Sequence, residues 1–395
     1  MTTFYENLIR RAIFRLDAET AHEIGIELLR VGLSPEFAQR RAAARFAADE
    51  SCIVERIGLR FASPIGVAAG FDKNGVVVNQ LAALGFGFVE VGTVTFQPQP
   101  GNEKPRLFRL PDDKALINRL GFNNDGALAV AKRLRELDRH CVVGVNIGKN
   151  KDVPNEEATQ NYLAAFDLVH DVADYVALNI SSPNTPNLRE LQRAENLESL
   201  ISALLERNRV LSPECRRPIS TTPSGAATGS TPVQERRLKT PAKPILVKIA
   251  PDLDEGEIEE IVDICIRLGI SGIIATNTTV SREDLKTSDV ARFGAGGLSG
   301  RPIAERSNDV IRSIFRHSGG KLPIIGVGGI FTAEDAFEKL AAGASLLQSY
   351  TGFIYTGPTF ARELNRGIQR LLAERGYTNI NAVIGIKAGM GRLTA

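Results

Sequence analysis

The stretch Asn179-Ile-Ser-Ser-Pro-Asn-Thr-Pro-Asn187 gathers amides and hydroxyls directly after the apolar run DYVAL. It holds no histidine, cysteine or carboxylate, so proton transfer there would fall to a serine hydroxyl. That is a weak base, which must hand its own proton onward as it takes another. Asparagines recur in INRLGFNN (Asn118), GVNIGKN (Asn146), the stretch itself (Asn179, Asn184) and ATNTT (Asn277). An amide offers two donors and an acceptor without titrating, which suits a neutral ring bearing carbonyl and N–H groups. Asparagine is also a common turn residue, so one or two of the five can be purely structural.

Two lysines stand out by position. Lys248 lies inside the apolar run ILVKI, where an ammonium is costly unless it meets negative charge. A neighbouring carboxylate would meet that need. So would a ring that gains charge on reduction, as a flavin does at its N1/C2 edge. Lys73, in AAGFDKNG, faces either a substrate carboxylate or, with Asp72 beside it, plain solvent in a surface loop. Three glycine loops, GAGGLSGRP (294–302), GVGGI (326–330) and YTGFIYTGP (350–358), suit a phosphate-bearing cofactor. Glycine lets backbone N–H groups approach an anion, and GVGGI leads into a helix beginning near Thr332.

Positioning these groups requires a scaffold, and the chain carries the signature of one. Short apolar runs occur at 64–70, 86–93, 141–147, 174–180, 244–250, 271–277, 323–329 and 345–350. Between them, 125–138, 156–171, 195–210, 254–268, 304–317 and 332–342 carry apolar residues at helical spacing. Eight such units predict an α/β fold of the (β/α)8, or TIM, barrel type. An open dinucleotide-binding sheet would want GxGxxG after its first strand, and none is present. Barrel enzymes build their sites at the carboxyl ends of the strands. Read in order, those ends are Gly70/Lys73, Thr93, Asn146, Asn179, Lys248, Asn277, Gly328/Gly329 and Tyr350. A polar side chain at one end can be a helix cap or a turn; a polar set at most of them points to a site.

Two pieces fall outside the barrel. Residues 1–47 read as amphipathic helices, with Phe4, Leu8, Ala12 and Leu16 sharing a face. Asp17 would cap a second helix carrying Ala21, Ile24, Leu28 and Leu29. The barrel then occupies 48–395, interrupted at 212–243 by a Pro/Ser/Thr/Gly tract expected to be disordered and dispensable for chemistry. The tract enters the fifth strand at its amino end and should hang from the face opposite the site.

The 395 residues carry a formal net charge of +2, which argues against a nucleic-acid binder. The four cysteines are scattered, without CxxC spacing or clustered histidines, so neither a metal site nor a disulfide framework is expected. No signal-peptide pattern appears, and no apolar run approaches the roughly 20 residues of a membrane span.

The motifs AAGFDKNG, INRLGFNN, GVNIGKN, NISSPNTPNLR, LVKIAPD, ATNTT, GGLSGRP and GVGGI, in this order and spacing, resemble those of dihydroorotate dehydrogenases over roughly residues 50–365. The segment LIRRAIFRLDAETAHEIGIELLR resembles the two-helix extension of the class 2, quinone-using, membrane-associated members. Serine rather than cysteine at the base position is a second mark of that class. The resemblance implies FMN as cofactor and oxidation of (S)-dihydroorotate to orotate in de novo pyrimidine synthesis. The C6 hydride would pass to flavin N5, and a membrane quinone would reoxidise the flavin.

By the same resemblance Ser182 is the base, with Thr185 and Phe122 at the positions of a proton relay. Lys73, Asn118, Arg119, Leu120, Gly121, Phe122, Asn179, Asn184, Asn277 and Thr278 would surround substrate. Ala69, Gly70, Lys73, Thr93, Asn146, Asn179, Lys248, Thr276, Gly300, Gly329, Tyr350 and Thr351 would hold FMN. His22, Arg109 and Tyr350 match positions near the quinone head. The resemblance further implies a monomer attached peripherally to the cytoplasmic face of the inner membrane. Without it, the amino-terminal helices would read as a pair packed on the barrel. Other readings are a class 1-like enzyme using fumarate or NAD, a flavin-free barrel acting on a sugar phosphate, and a membrane-bound scaffold without turnover.

Overall fold

The computed structural model of the chain describes residues 5–212 and 242–389. Eight parallel strands close into a barrel: β1 (Ile65–Val67), β2 (Phe88–Val94), β3 (Val142–Ile147), β4 (Tyr175–Asn179), β5 (Ile245–Ile249), β6 (Gly272–Ala275), β7 (Ile324–Val327) and β8 (Leu346–Ser349). Order around the ring is chain order, with β8 pairing β1. Each strand lies inside an interval predicted from sequence, except that β2 runs one residue past its own. Runs such as ILVKI are apolar on both faces because helices cover the barrel's outside and side chains fill its inside. Every residue of β2, β4 and β5 is buried.

The six predicted helices are Ala127–Arg135, Ala158–Val169, Ala194–Leu211, Glu255–Leu268, Ala304–His317 and Ala333–Ala342. Their starts are set chemically. Asp254 and Glu257 form a reciprocal capping box at one, and Thr332 and Asp335 form another. Such caps fix where each loop ends, and so how far the site residues project from the strand ends. The first crossover adds Val78–Ala83, too short a helix to impose a visible period.

The helices after β8, Thr351–Thr356 and Phe360–Glu374, were not predicted, and among the strands two features were not legible. After β2 the chain builds an antiparallel pair, Leu107–Leu110 and Ala115–Asn118, which Gly297–Gly300 joins as a third strand. Part of GAGGLSGRP, predicted as a glycine loop, is therefore the edge of this accessory sheet. A hairpin of Val54–Arg56 and Leu59–Phe61 lies ahead of β1. Its Phe61 meets Phe88, the first residue of β2, at a ring separation of 5.2 Å.

The amino-terminal extension comprises helical turns Tyr5–Ile9 and Arg10–Ile13, then α1 (Ala18–Gly32) and α2 (Glu36–Phe46). Asp17 caps α1 as predicted, accepting from the Glu19 and Thr20 N–H groups at 3.1 and 3.0 Å. Glu19 and Arg106 form a buried ion pair at 2.7 Å that fastens α1 to the barrel loop. The apolar stripe of the first turns faces outward: Leu8 is 59% and Leu16 42% exposed. Tyr5–Ile9 starts as a π-helical turn, and Tyr5, Ile9 and Ile13, not that stripe, line the apolar cavity described below, with Ile9 still 38% exposed.

The Pro/Ser/Thr/Gly tract falls almost wholly on 213–241, outside the described residues. Its flanks adjoin, because Asn208 Nδ2 donates to the Lys243 carbonyl at 2.8 Å, at the amino end of β5. Among the described residues, no helix is long and apolar enough to cross a membrane.

Candidate active site

At the carboxyl ends of the strands lies a cavity whose empty space, counted out to its open mouth, is about 940 Å³. Ala69, Gly70, Lys73, Thr93, Asn179, Lys248, Thr276 and Tyr350 line it, as do Asn118, Leu120, Gly121, Phe122, Ser182, Asn184, Asn277 and Thr278. Most of the residues singled out from the sequence therefore share one space.

The amides form a connected set. Asn184 Nδ2 donates to Asn118 Oδ1 at 3.0 Å, and Asn277 Nδ2 donates to Asn179 Oδ1 at 3.1 Å. Asn179 Nδ2 donates to the Thr93 hydroxyl at 2.7 Å, which in turn donates to Asn146 Oδ1 at 2.6 Å. Asn146 itself sits beneath the cavity wall, fully buried. Such a network fixes each amide's orientation, so the groups left facing the cavity are aimed before anything binds.

In the serine loop the two hydroxyls differ. Ser181 Oγ donates to Asn179 Oδ1 at 3.3 Å and accepts from Asn277 Nδ2 at 2.9 Å, so it holds the amide set together. Ser182 Oγ accepts from the Asn184 N–H at 3.2 Å and faces the cavity. Thr185, three residues on, is buried, and its Oγ1 has no partner among the described residues. Arg189 clamps the loop, donating to the Ser181 and Thr278 carbonyls, both at 3.1 Å, while pairing with Asp252 at 2.8 Å. This arginine ends the motif NISSPNTPNLR, and sequence reasoning passed it over.

Besides Asn146 and Thr185, four residues expected around substrate or FMN lie outside the lining. Arg119 turns its guanidinium away, over the Phe108 ring and onto the Phe293, Ala295 and Pro105 carbonyls. Gly329 packs against Ala304, and Gly300 against the Lys114 carbonyl. Thr351 reaches the site through Ser299, whose hydroxyl lies 2.9 Å from its own. The helix that follows GVGGI is also differently used. Its amino end is occupied by Asp335, whose carboxylate accepts from the Phe331 and Thr332 N–H groups, each at 2.9 Å. An anion at this rim would meet the Gly328–Gly329 turn, with φ of 118° and 73°, rather than that helix end.

A second, apolar cavity lies beside the first. Tyr5, Ile9, Ile13, Phe14 and the inner face of α1 form one side; Phe71, Arg109, Phe353 and Ile354 form the other. Leu107 and Leu116 line both cavities. His22, on α1, meets Phe71 edge-on at 5.1 Å and stacks on Tyr350, a residue of the first cavity, at 6.3 Å. Burial pushes the His22 imidazole down to about 4, and the Lys73 ammonium acts in the same direction. Arg109 is held by the Leu16 carbonyl at 2.7 Å, with its guanidinium over the Phe14 ring. His22 and Tyr350 thus meet where the two cavities adjoin, while Arg109 lies on the wall of the second.

Residues 52–372 match the family model described as dihydroorotate dehydrogenase. The chain belongs to that family. It is 47% identical to the dihydroorotate dehydrogenase (quinone) of Roseiflexus castenholzii, over 97% of this chain and 96% of that one. It is 46% identical to the Mycolicibacterium smegmatis protein of the same name, over 96% of this chain and 98% of that one. Among solved structures, the Eimeria tenella DHODH in complex with ferulenol superposes with a TM-score of 0.79 at 37% identity, covering 94% and 96% of the two chains.

The donor set suits the flavin implied by membership of the dihydroorotate dehydrogenase family. Lys248 is a buried cation at the cavity wall, and Thr276 Oγ1 is buried there without a partner among the described residues. The glycine turn supplies a close backbone approach. Sequence reasoning missed the buried carboxylate facing Lys248, Glu90, which is 4.0 Å away. The rule that singled out Lys248, a charge inside an apolar strand, applies equally to FVEVGT.

Proposed function

We propose that this chain oxidises (S)-dihydroorotate to orotate in pyrimidine synthesis, with FMN bound in the barrel cavity and a membrane quinone as electron acceptor. The observation that carries this reading is the juxtaposition of two cavities, the first carrying convergent polar groups among its apolar lining and the second almost wholly apolar. One is lined with amides, hydroxyls and two lysines; the other is apolar and walled by α1; Leu107 and Leu116 border both.

When bound, FMN would accept the hydrogen and electron pair from C6 of the substrate and later release electrons to the quinone. The protein's part is proton handling and orientation. Ser182 Oγ would take the C5 proton while passing its own to Thr185 Oγ1 or a water, the unpartnered threonine hydroxyl being an acceptor in reserve. Asn118, Asn179, Asn184 and Asn277 would hold the substrate ring through its carbonyl and N–H groups. Lys73 would pair with its carboxylate. Burial lowers the Lys73 ammonium to about 8, so it is still largely charged at neutral pH. Phe122, also in the cavity lining, would cover the serine side and exclude water; its φ is 53°, a backbone setting that non-glycine residues rarely adopt. Lys248 would offset negative charge growing on the reduced ring.

The second cavity would admit the quinone from the bilayer. Leu28, Val31 and Phe37 are exposed around α1 and α2, and arginines lie on the same segment. This suits peripheral attachment to an anionic membrane surface. A flavin absorption spectrum in the purified protein, with dihydroorotate oxidation supported by quinone and not by fumarate or NAD, is the expected result. Colourless protein, or turnover with fumarate alone, would contradict the reading.

A further inference from the structure

No step above uses the carboxylate inside the barrel. Glu90, midway along β2, is fully buried. Its Oε1 accepts from Asn146 Nδ2 at 2.8 Å, and its Oε2 accepts from the Tyr175 hydroxyl at 2.9 Å and Gln348 Nε2 at 2.7 Å. All three neighbours present donors to it. The barrel is shaped to permit this cluster. Glu90 registers with Gly144, and Gly144 with Tyr175. A Cβ on Gly144 would lie 2.1 Å from the Tyr175 ring, so glycine there is what lets the ring enter the barrel.

Lys248 comes within 4.0 Å of Glu90 Oε1, with their side chains 6% and 0% exposed. The titratable groups facing it across the barrel are Glu90 from β2 and Tyr175 from β4; Lys73 lines the same cavity. Burial pulls the Lys248 ammonium below its ordinary range, and Glu90 opposes that pull. The remaining contacts run to the cavity wall: Asn146 joins Glu90 to Thr93, and Thr93 joins Asn179.

We propose that Glu90 is the positioning residue and counter-charge for Lys248, so that the flavin site presents a compensated ion pair rather than a bare cation. The inference rests on the FMN reading of this cavity. A lone buried ammonium would either shed its proton or bind a reduced, negatively charged ring too strongly to release electrons readily. Paired with Glu90 it keeps its proton and its place, while exerting a weaker field on the ring. Tyr175, Gln348 and Asn146 hold the carboxylate where this pairing occurs.

The test is the flavin midpoint potential of holoenzyme from about pH 6 to about pH 9, in wild type and Glu90→Gln. The sign follows from which charges remain. At the acid end the variant keeps the Lys248 cation without its counter-charge, so the preference for reduced over oxidised FMN rises. The expected rise is roughly tenfold, equivalent to about 30 mV for a two-electron couple. Toward alkaline pH the uncompensated lysine loses its proton and the excess fades, a pH dependence that loss of packing alone would not produce. A flavin-loaded variant that tracks wild type at every pH overturns the proposal.

If Glu90→Gln alone does not fold, Lys248→Met is compared with Lys248→Met/Glu90→Gln, which leaves no unpaired charge. The lone carboxylate should hold the single variant's potential below the double variant's; equal potentials overturn the proposal. Wild-type protein that purifies without flavin would overturn the cofactor reading itself, an outcome distinct from either.

Discussion

On the proposed reading Ser182 would do with a hydroxyl what enzymes commonly give to histidine or a carboxylate, and its neighbours suit it to that role. One acceptor position is filled by the Asn184 N–H, and Thr185 sits three residues on with its hydroxyl unengaged among the described residues. Ser182→Ala would remove only the proposed proton acceptor. It should keep bound flavin, read from its absorbance, while turnover at neutral pH falls by about 10²- to 10⁴-fold. Lys73 gives a pH signature. Burial lowers its free-state value to about 8, and a bound carboxylate would favour the protonated form. Orotate affinity, followed by flavin absorbance, should therefore weaken about tenfold per unit as pH rises above that value; a flat profile would remove Lys73 from the substrate site.

His22 affects stability in the acid range. Its native imidazole titrates near 4, against an ordinary 6.5. Above 6.5 neither folded nor unfolded chain protonates it. As pH falls from 6.5 toward 4 the unfolded chain binds a proton that the native state refuses, so stability drops, by up to about 3 kcal/mol. Urea denaturation at the two ends of that window should show a smaller loss in His22→Asn than in wild type. At this scale most cavity residues were legible, because a polar group at the end of an apolar run is a strong local signal. Arg189 and Glu90 were not found. Arg189 sits at the far end of a motif, where only the fold brings it to the site; Glu90 carries the same charge-in-a-strand signal as Lys248, which was not applied to it.

Among the elements, the eight strands and six main helices announce themselves through apolar runs, helical spacing and caps. The accessory sheet does not. Its strands have four residues each, and the third comes from far along the chain in a glycine-rich stretch that locally reads as a loop. The extension was legible in part. Asp17 marked the start of α1, but the expected stripe on the turns before it faces outward. What fastens α1 is the Glu19–Arg106 pair, which no local pattern reveals. Breaking a buried pair by removing one partner costs about 3–5 kcal/mol, because the other charge is left uncompensated. Glu19→Ala should therefore loosen the extension. Limited proteolysis should cut within 5–33 faster than in wild type, and quinone reduction should fall more than flavin reduction by dihydroorotate.

At the scale of the molecule, one continuous barrel core supports two cavities that share the Leu107 and Leu116 wall, with Tyr350, Phe71 and His22 packed at the partition. The sequence named both sets of residues but not their separation by so thin a wall, which depends on α1 lying across the accessory sheet. This arrangement implies two half-reactions that can be disturbed independently. Anaerobic stopped-flow of Ser182→Ala, set against wild type, tests that claim most directly. Flavin reduction by dihydroorotate should slow at least about 100-fold, while reoxidation of chemically reduced enzyme by quinone proceeds at the wild-type rate. Near-normal reduction, or equal slowing of both steps, would contradict the account.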